Sequence, residues 1–398
     1  MRHGSRTSRD DQQEEPLNPE SPSLDVFWHD DILLHDTGEG VFEDAPSPLM
    51  YAQEPHPENA TRLLNVKAIL ERGPLRSRIR WNTAAPASED QIHRFHTRTY
   101  TDCVREADTR GPLRLDGAGT VAGPGTWRAA MRAAGLSIAA TDSVLSGESR
   151  AAYALVRPPG HHAQPGQADG SCIFNNVGIA AHHALDRGVK RIAIVDWDQH
   201  HGNGTQEGFY DDDRVLTVSI HMPHGCWGEN HPQRGTVDEV GEGAGIGYNL
   251  NLPVAYGAGD ACYDEVMRLA VRPVIDEFAP ELILVACGQD ANQFDPNGRS
   301  LLTMRGFREL GRQVRAWAAA HASNRLVLFQ EGGYAVTYTA FCAHATLEGV
   351  LGVDSGLRDP AAYYDQSGAG TSINPGEILK TWRECIENSR RNPGPTNP

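Results

Sequence analysis

Asp198 and His200 stand two residues apart in the segment Asp196-Trp197-Asp198-Gln199-His200-His201-Gly202-Asn203-Gly204. In extended backbone, side chains two apart point to the same side, as two ligands of one metal ion must. A third ligand has to come from elsewhere. Asp290, in Cys287-Gly288-Gln289-Asp290-Ala291-Asn292, offers it, and an Asp-His-Asp set leaves a fourth position open for water or substrate, as catalytic zinc sites require. Alone, Asp-x-His is more often a helix cap or a turn carboxylate, because both residue types are common in strand-to-helix loops. Neighbouring segments shift that balance. The tandem His161-His162 follows Pro158-Pro159-Gly160, a stiff lead-in, and imidazole is the base that exchanges a proton near neutrality, as activating water at a metal demands. Tyr334, after Gly332-Gly333, can donate its hydroxyl to a developing oxyanion; the plain alternative is an ordinary buried tyrosine.

Five short apolar runs bounded by turn residues read as buried strands: Ala152 to Val156, Ile192 to Val195, Val215 to Ile220, Leu282 to Ala286 and Leu326 to Phe329. Helical patterns lie between them, around Trp127 to Leu145, Val177 to Asp186, Tyr263 to Glu277, Met304 to His321 and Thr339 to Val350. This alternation implies βαβ units, hence a central, mostly parallel sheet covered by helices, with ligands beyond the carboxyl ends of its strands. The polar segments named above follow four of the five runs. They therefore meet at one sheet edge.

Other features are bland. His182-His183 falls in a helical pattern and reads as a structural or surface pair, while His221, His224 and His231 lie in a Pro- and Gly-rich segment where most histidines face solvent. Gly241, Gly243, Gly245 and Gly247 alternate outside the G-x-G-x-x-G register and read as a loop, and neither a P-loop nor a G-x-S-x-G elbow occurs.

The chain of 398 residues carries 36 Lys and Arg against 52 Asp and Glu, a net charge of −16 that repels phosphate backbones and anionic membrane surfaces. Neither a nucleic acid nor a membrane is an expected partner. No apolar run approaches the roughly 18 residues needed to span a bilayer, and the N-terminus has no secretory apolar region, so a cytoplasmic location is expected. Seven Cys without a C-x-x-C pair suggest neither a disulfide framework nor a thiolate zinc site. Residues 1–24 are charged and Pro-rich and read as a flexible arm, residues 386–398 as a flexible tail, and residues 25–385 as one catalytic domain. A homo-oligomer is compatible with all of this.

The assembled motifs resemble the histone deacetylase and acetylpolyamine amidohydrolase superfamily, particularly its bacterial class II-like amidohydrolases. Arg157-Pro158-Pro159-Gly160-His161-His162-Ala163, Gly170 with Cys172-Ile173-Phe174-Asn175-Asn176, Asp196-Trp197-Asp198 through Gly204-Thr205-Gln206, and Glu331-Gly332-Gly333-Tyr334 stand in family order. Weaker marks are His56-Pro57-Glu58-Asn59 with Arg62, then His96 with Tyr100, so the likeness covers roughly residues 27–352. It implies a single arginase/deacetylase-like α/β domain with one Zn2+ on Asp198, His200 and Asp290. It also implies His162 as general base and acid, His161 as its electrostatic partner, Asp196 orienting His161 and Asn203 orienting His162. Tyr334 would complete the oxyanion hole, and Ser219 with the carbonyls of Asp196, Asp198 and His200 would form a structural K+ site. The substrate tunnel would be lined by Gly170, Ser171, Trp227 and Asn297. Two of these depart from the family: Ser171 replaces an aromatic wall, and Asn297 replaces a Leu or Met, or the Glu of polyamine-selective members.

The expected function is a zinc-dependent deacetylase acting on an acylated amine, such as acyl-lysine or an acetylpolyamine. The alternatives are a deacylase of a small specialised metabolite, a ureohydrolase on the same fold, and a catalytically silent acyl-group binding protein. The last would have been signalled by loss of the His pair or of Tyr334, and both are kept.

Overall fold

Parallel strands buried on both faces read as continuous apolar runs, and four of the observed strands are of this kind. A computed structural model describes residues 23–40, 48–52, 54–116, 119–223, 234–364 and 374–391. Its main sheet contains β1 (Leu24–Phe27), β2 (Ile79–Asn82), β3 (Ala151–Ala154), β4 (Ile192–Asp196), β5 (Val215–His221), β6 (Asn249–Pro253), β7 (Leu282–Cys287) and β8 (Leu326–Gln330). The spatial order is β2-β1-β3-β8-β7-β4-β5-β6 and every pairing is parallel. The sheet is thus wholly parallel among the described residues. All eight strands deliver their carboxyl ends to one edge, and the strands that precede the chemical motifs, β3, β8, β7 and β4, are adjacent and central.

Helices cover both faces, and their ends obey local rules. Asn175 caps the helix Asn176–Asp186 by accepting from the Gly178 N–H (2.8 Å), and Thr303 caps Met304–His321 by accepting from Arg305. The expected helix from Tyr263 to Glu277 is present but broken by a π segment, Met267–Val271, ahead of Arg272–Phe278. None of the helices in the described residues is long and apolar enough to cross a membrane.

Both expected domain ends need correction. Leu24, placed in the arm, is a fully buried residue of β1. The helix Pro375–Arg391 runs past residue 385, because Ile386 packs into the core and Trp382 donates its indole N–H to the Asn249 carbonyl on the outer strand β6 (2.6 Å). Residues 386–391 are therefore part of the packed domain. His221 is likewise buried at the end of β5, bonded to Ser219 Oγ (2.9 Å) and the Gly235 carbonyl (3.0 Å), contrary to a solvent-facing reading. His224, His231 and Trp227 lie outside the described residues.

Candidate active site

The loops after β4 and β7 place Asp198, His200 and Asp290 so that one donor atom from each lies within 4.8 Å of the others, all buried. Backbone holds each carboxylate from behind. Gly332 N–H donates to Asp198 Oδ2 (2.8 Å), and Gln199 N–H donates to Asp290 Oδ1 (2.7 Å). The remaining oxygens face His200 Nδ1, with Asp198 Oδ1 at 3.1 Å and Asp290 Oδ2 at 2.8 Å. The second approach lacks hydrogen-bond geometry, so Asp290 Oδ2 is a buried carboxyl oxygen with no hydrogen-bond partner. Burial opposes charge on His200, yet Asp290 and Asp198 outweigh it and raise its pKa to about 10. Two carboxylates and an imidazole competing for positive charge are the donor set a divalent cation satisfies.

Gly332 also shows how tightly these loops close. A Cβ there would sit 2.4 Å from Asp290 Oδ2 and 2.7 Å from Asp198 Oδ2, so only glycine lets the loop after β8 pass the carboxylates.

His161 and His162, after β3, stack at 3.9 Å between ring centroids. Their outer partners differ in charge. His161 Nδ1 meets Asp196 Oδ2 at 2.9 Å; burial disfavours its cation, but Asp198 and Asp196 overcome this and raise its pKa well above the usual imidazole value. His162 Nδ1 meets the neutral amide oxygen of Asn203 at 2.6 Å, and Asn203 Nδ2 donates to Asp169 Oδ2 (2.7 Å). Because Asp169 takes the amide N–H, Asn203 Oδ1 must accept, which puts the proton of neutral His162 on Nδ1 and leaves Nε2 basic.

Gly170 lies against that ring. It adopts φ +50°, and a Cβ would fall 2.4 Å from His162 Cδ2. Gly170→Ala should therefore keep metal content and circular dichroism while lowering kcat by about 10- to 100-fold through a displaced imidazole, a loss on the scale of ångström misplacement. Native kcat in this variant would show that His162 tolerates a shift. Next to it, Ser171 (φ +65°) is half-buried and its N–H donates to Thr120 Oγ1 (2.9 Å). The structure thus brings Gly170 to His162 and ties the adjoining Ser171 to Thr120. Asn297 is half-buried on the loop that follows Asp290.

Tyr334 is partly exposed, its ring 5.4 Å from the Arg62 guanidinium carbon. Burial and the nearby Asp198 and Asp290 charges keep its hydroxyl protonated, well above the ordinary phenol range. The weaker motifs turn out to be braces. Arg62 donates to the Glu331 carbonyl (2.8 Å) and, with Arg157, to Glu58, while His96 spans the Gln164 carbonyl (3.0 Å) and the Asn175 N–H (2.8 Å). Ser219 pairs in register with Asp196, and its hydroxyl is engaged by His221.

Sequence reading assigned no part to Asp169, Thr120 or the Glu331 side chain. Glu331 Oε2 accepts the N–H groups of Gly160 (2.7 Å) and His161 (3.1 Å), clamping the tandem histidines. Glu331, His161 and Cys172 form a second convergent group. Glu331 Oε2 and His161 Nδ1 are engaged there by backbone N–H groups and by Asp196 while Glu331 Oε1 has no hydrogen-bond partner, and burial pushes the Cys172 thiol well above its usual value, away from the thiolate a metal needs.

Residues 56–350 match the histone deacetylase domain family. The chain belongs to that family. Among similar histone deacetylases, one named histone deacetylase 8 from Arabidopsis thaliana is 47% identical over 362 residues, covering 90% of this chain and 96% of the relative. A histone deacetylase-like amidohydrolase from Pseudomonas aeruginosa is 41% identical over 344 residues, covering 84% and 88%. The crystal structure of an HDA15 HD domain superposes with a TM-score of 0.77 at 28% identity, covering 94% of this chain and 99% of that one. A histone deacetylase fold and a hydrolytic deacetylase activity follow from these likenesses.

Proposed function

We propose that this histone deacetylase family member is a zinc-dependent deacylase of N-acylated amines, acyl-lysine or an acetylpolyamine. The observation that carries the reading is the unpartnered Asp290 Oδ2 beside His200 Nδ1 and Asp198 Oδ1, with His161 Nε2 3.7 Å from Asp198 Oδ1 and His162 stacked on His161. A bound Zn2+ would polarise the acyl carbonyl and make water a nucleophile at neutral pH. A monovalent K+ near Asp196, Asp198, His200 and Ser219 belongs to the same proposal.

The chain's own groups divide the remaining work. His162 Nε2 takes a proton from the attacking water and returns it to the leaving amine, while Asn203 and Asp169 hold the ring in that tautomer. His161, whose charged form Asp198 and Asp196 both favour, stabilises negative charge as it builds on the substrate. Tyr334 donates its hydroxyl to the carbonyl oxygen, and Arg62 fixes its ring.

Comparing kcat/KM for acetyl-lysine peptides, acetylpolyamines and small N-acetyl metabolites on zinc-loaded protein tests the reading. Hydrolysis of the first two classes supports it. A preference for the third moves the substrate to small-molecule metabolism, and binding without hydrolysis of any leaves an acyl-group binder.

Ser171 supplies a sharper selectivity test. An aromatic wall packs on the flat methylene chain of acetyl-lysine, and such packing is worth about 0.5–1.5 kcal/mol beyond area burial. Ser171→Phe should therefore raise kcat/KM for acetyl-lysine peptides about 2- to 10-fold and lower it for the native substrate, with zinc unchanged. Unchanged kcat/KM for both would remove Ser171 from the tunnel.

A further inference from the structure

Tyr334 follows two glycines, and Gly333 has φ +120°, so the backbone that aims the phenol is intrinsically free to swing. Something outside the loop must fix it. Asp295, buried on the loop that leaves β7, reaches across: its Oδ2 accepts the N–H groups of Tyr334 (2.7 Å) and Ala335 (3.2 Å) and the Asn292 side-chain amide (3.3 Å). Its Oδ1 accepts the N–H groups of Asn297 (2.9 Å) and Gly298 (3.2 Å). A single carboxylate thus joins the loop carrying Asp290 and Asn297 to the loop carrying Tyr334. Bonds from several N–H groups to one ionised acceptor are stronger than neutral ones and fix direction as well as distance.

We infer that Asp295 is a positioning residue of the reaction: it holds Tyr334 in its donating position through the tyrosine's own backbone amide, and ties the rim residue Asn297 to the same carboxylate. The inference rests on the oxyanion role given to Tyr334. Asp295 itself touches no reacting atom. Its removal should leave the metal donors and the imidazoles in place, because none of its hydrogen bonds reaches them, and should lower kcat through the tyrosine, a loosened Asn297 acting on KM instead.

A double-mutant cycle reads this directly. Tyr334→Phe alone should lose about 100-fold or more in kcat, the usual cost of one oxyanion donor, with metal retained. Asp295→Ala should lose at least about 10-fold in kcat with metal content little changed. Combined with Tyr334→Phe it should cost nothing further, since a phenylalanine has no hydroxyl left to misplace. Asp295→Asn, which keeps one acceptor oxygen, should fall between native and Asp295→Ala, and it decides the matter if the alanine variant fails to fold. Additive losses in the cycle, or a parallel loss of metal, would overturn the inference while leaving the role of Tyr334 standing. Near-native turnover of Tyr334→Phe alone would overturn that role, and this inference with it.

Discussion

Asp290→Ala is expected to abolish both metal retention and turnover while preserving the fold. Asp290 supplies the one donor oxygen of the cluster that no hydrogen bond satisfies, and without it His200 and Asp198 alone face the ion. Removing an outer partner of a ligand costs about 10- to 100-fold in metal affinity, so removing the ligand itself should exceed that. Elemental analysis after dialysis should find about one equivalent in the native protein and almost none in the variant. Asp290→Asn separates ion binding from folding. Burial and the Asp198 charge push the Asp290 carboxyl above the ordinary carboxylate range. Because its pKa is lifted to about 8, the metal-free fold holds at neutral pH a proton that the unfolded chain has lost, a penalty that begins above the unfolded value and grows until pH passes the folded one. The asparagine lacks this penalty, so Tm should rise in chelator and fall relative to native in excess zinc, where only the native protein gains binding stabilisation. Two cooperatively bound equivalents, with urea released from a guanidino substrate, would instead establish a ureohydrolase.

His162→Ala should keep its metal and lose about 10²- to 10⁴-fold in kcat, the range for a general acid and base. The nitrogen available for proton transfer is Nε2, because the Asp169–Asn203 chain assigns the other proton to Nδ1. Asn203→Ala should be milder, about 10-fold, since the ring stays and only its orientation loosens. A ratio of the two losses near one, or native turnover in His162→Ala, would place the base elsewhere.

The strands that deliver the chemistry were legible because they are unbroken apolar runs, whereas β1, β2 and β6 were not. Asp25 interrupts β1, and its partners are Arg80 on β2 and the Ser143 hydroxyl (2.9 Å). Asn249 and Asn251 interrupt β6 and are satisfied by Gln206 at 2.9 and 2.8 Å. Polar residues inside a strand are stable only when such distant partners exist, and no local pattern announces them. The site divides the same way. Asp198, His200, Asp290, His161, His162 and Tyr334 have side chains whose chemistry is visible in isolation. Asp169, Asp295 and the Glu331 carboxylate act by receiving N–H groups from other segments, so their parts emerge only once the loops are assembled. The C-terminal helix stayed hidden because its polar composition masks the contacts of Trp382 and Ile386.

The placement of the site on the four central strands bears on how this chain tolerates change. Amide exchange from the middle of such a sheet requires the whole domain to open, whereas loops at its rim exchange by local fluctuation. The atoms that perform the reaction are thus anchored to the slowest-exchanging part of the molecule, and Ser171 and Asn297 sit on loops beyond it. Substitutions at those two positions are therefore expected to leave the slow exchange of the central strands unchanged, which amide exchange on the Ser171→Phe protein would read.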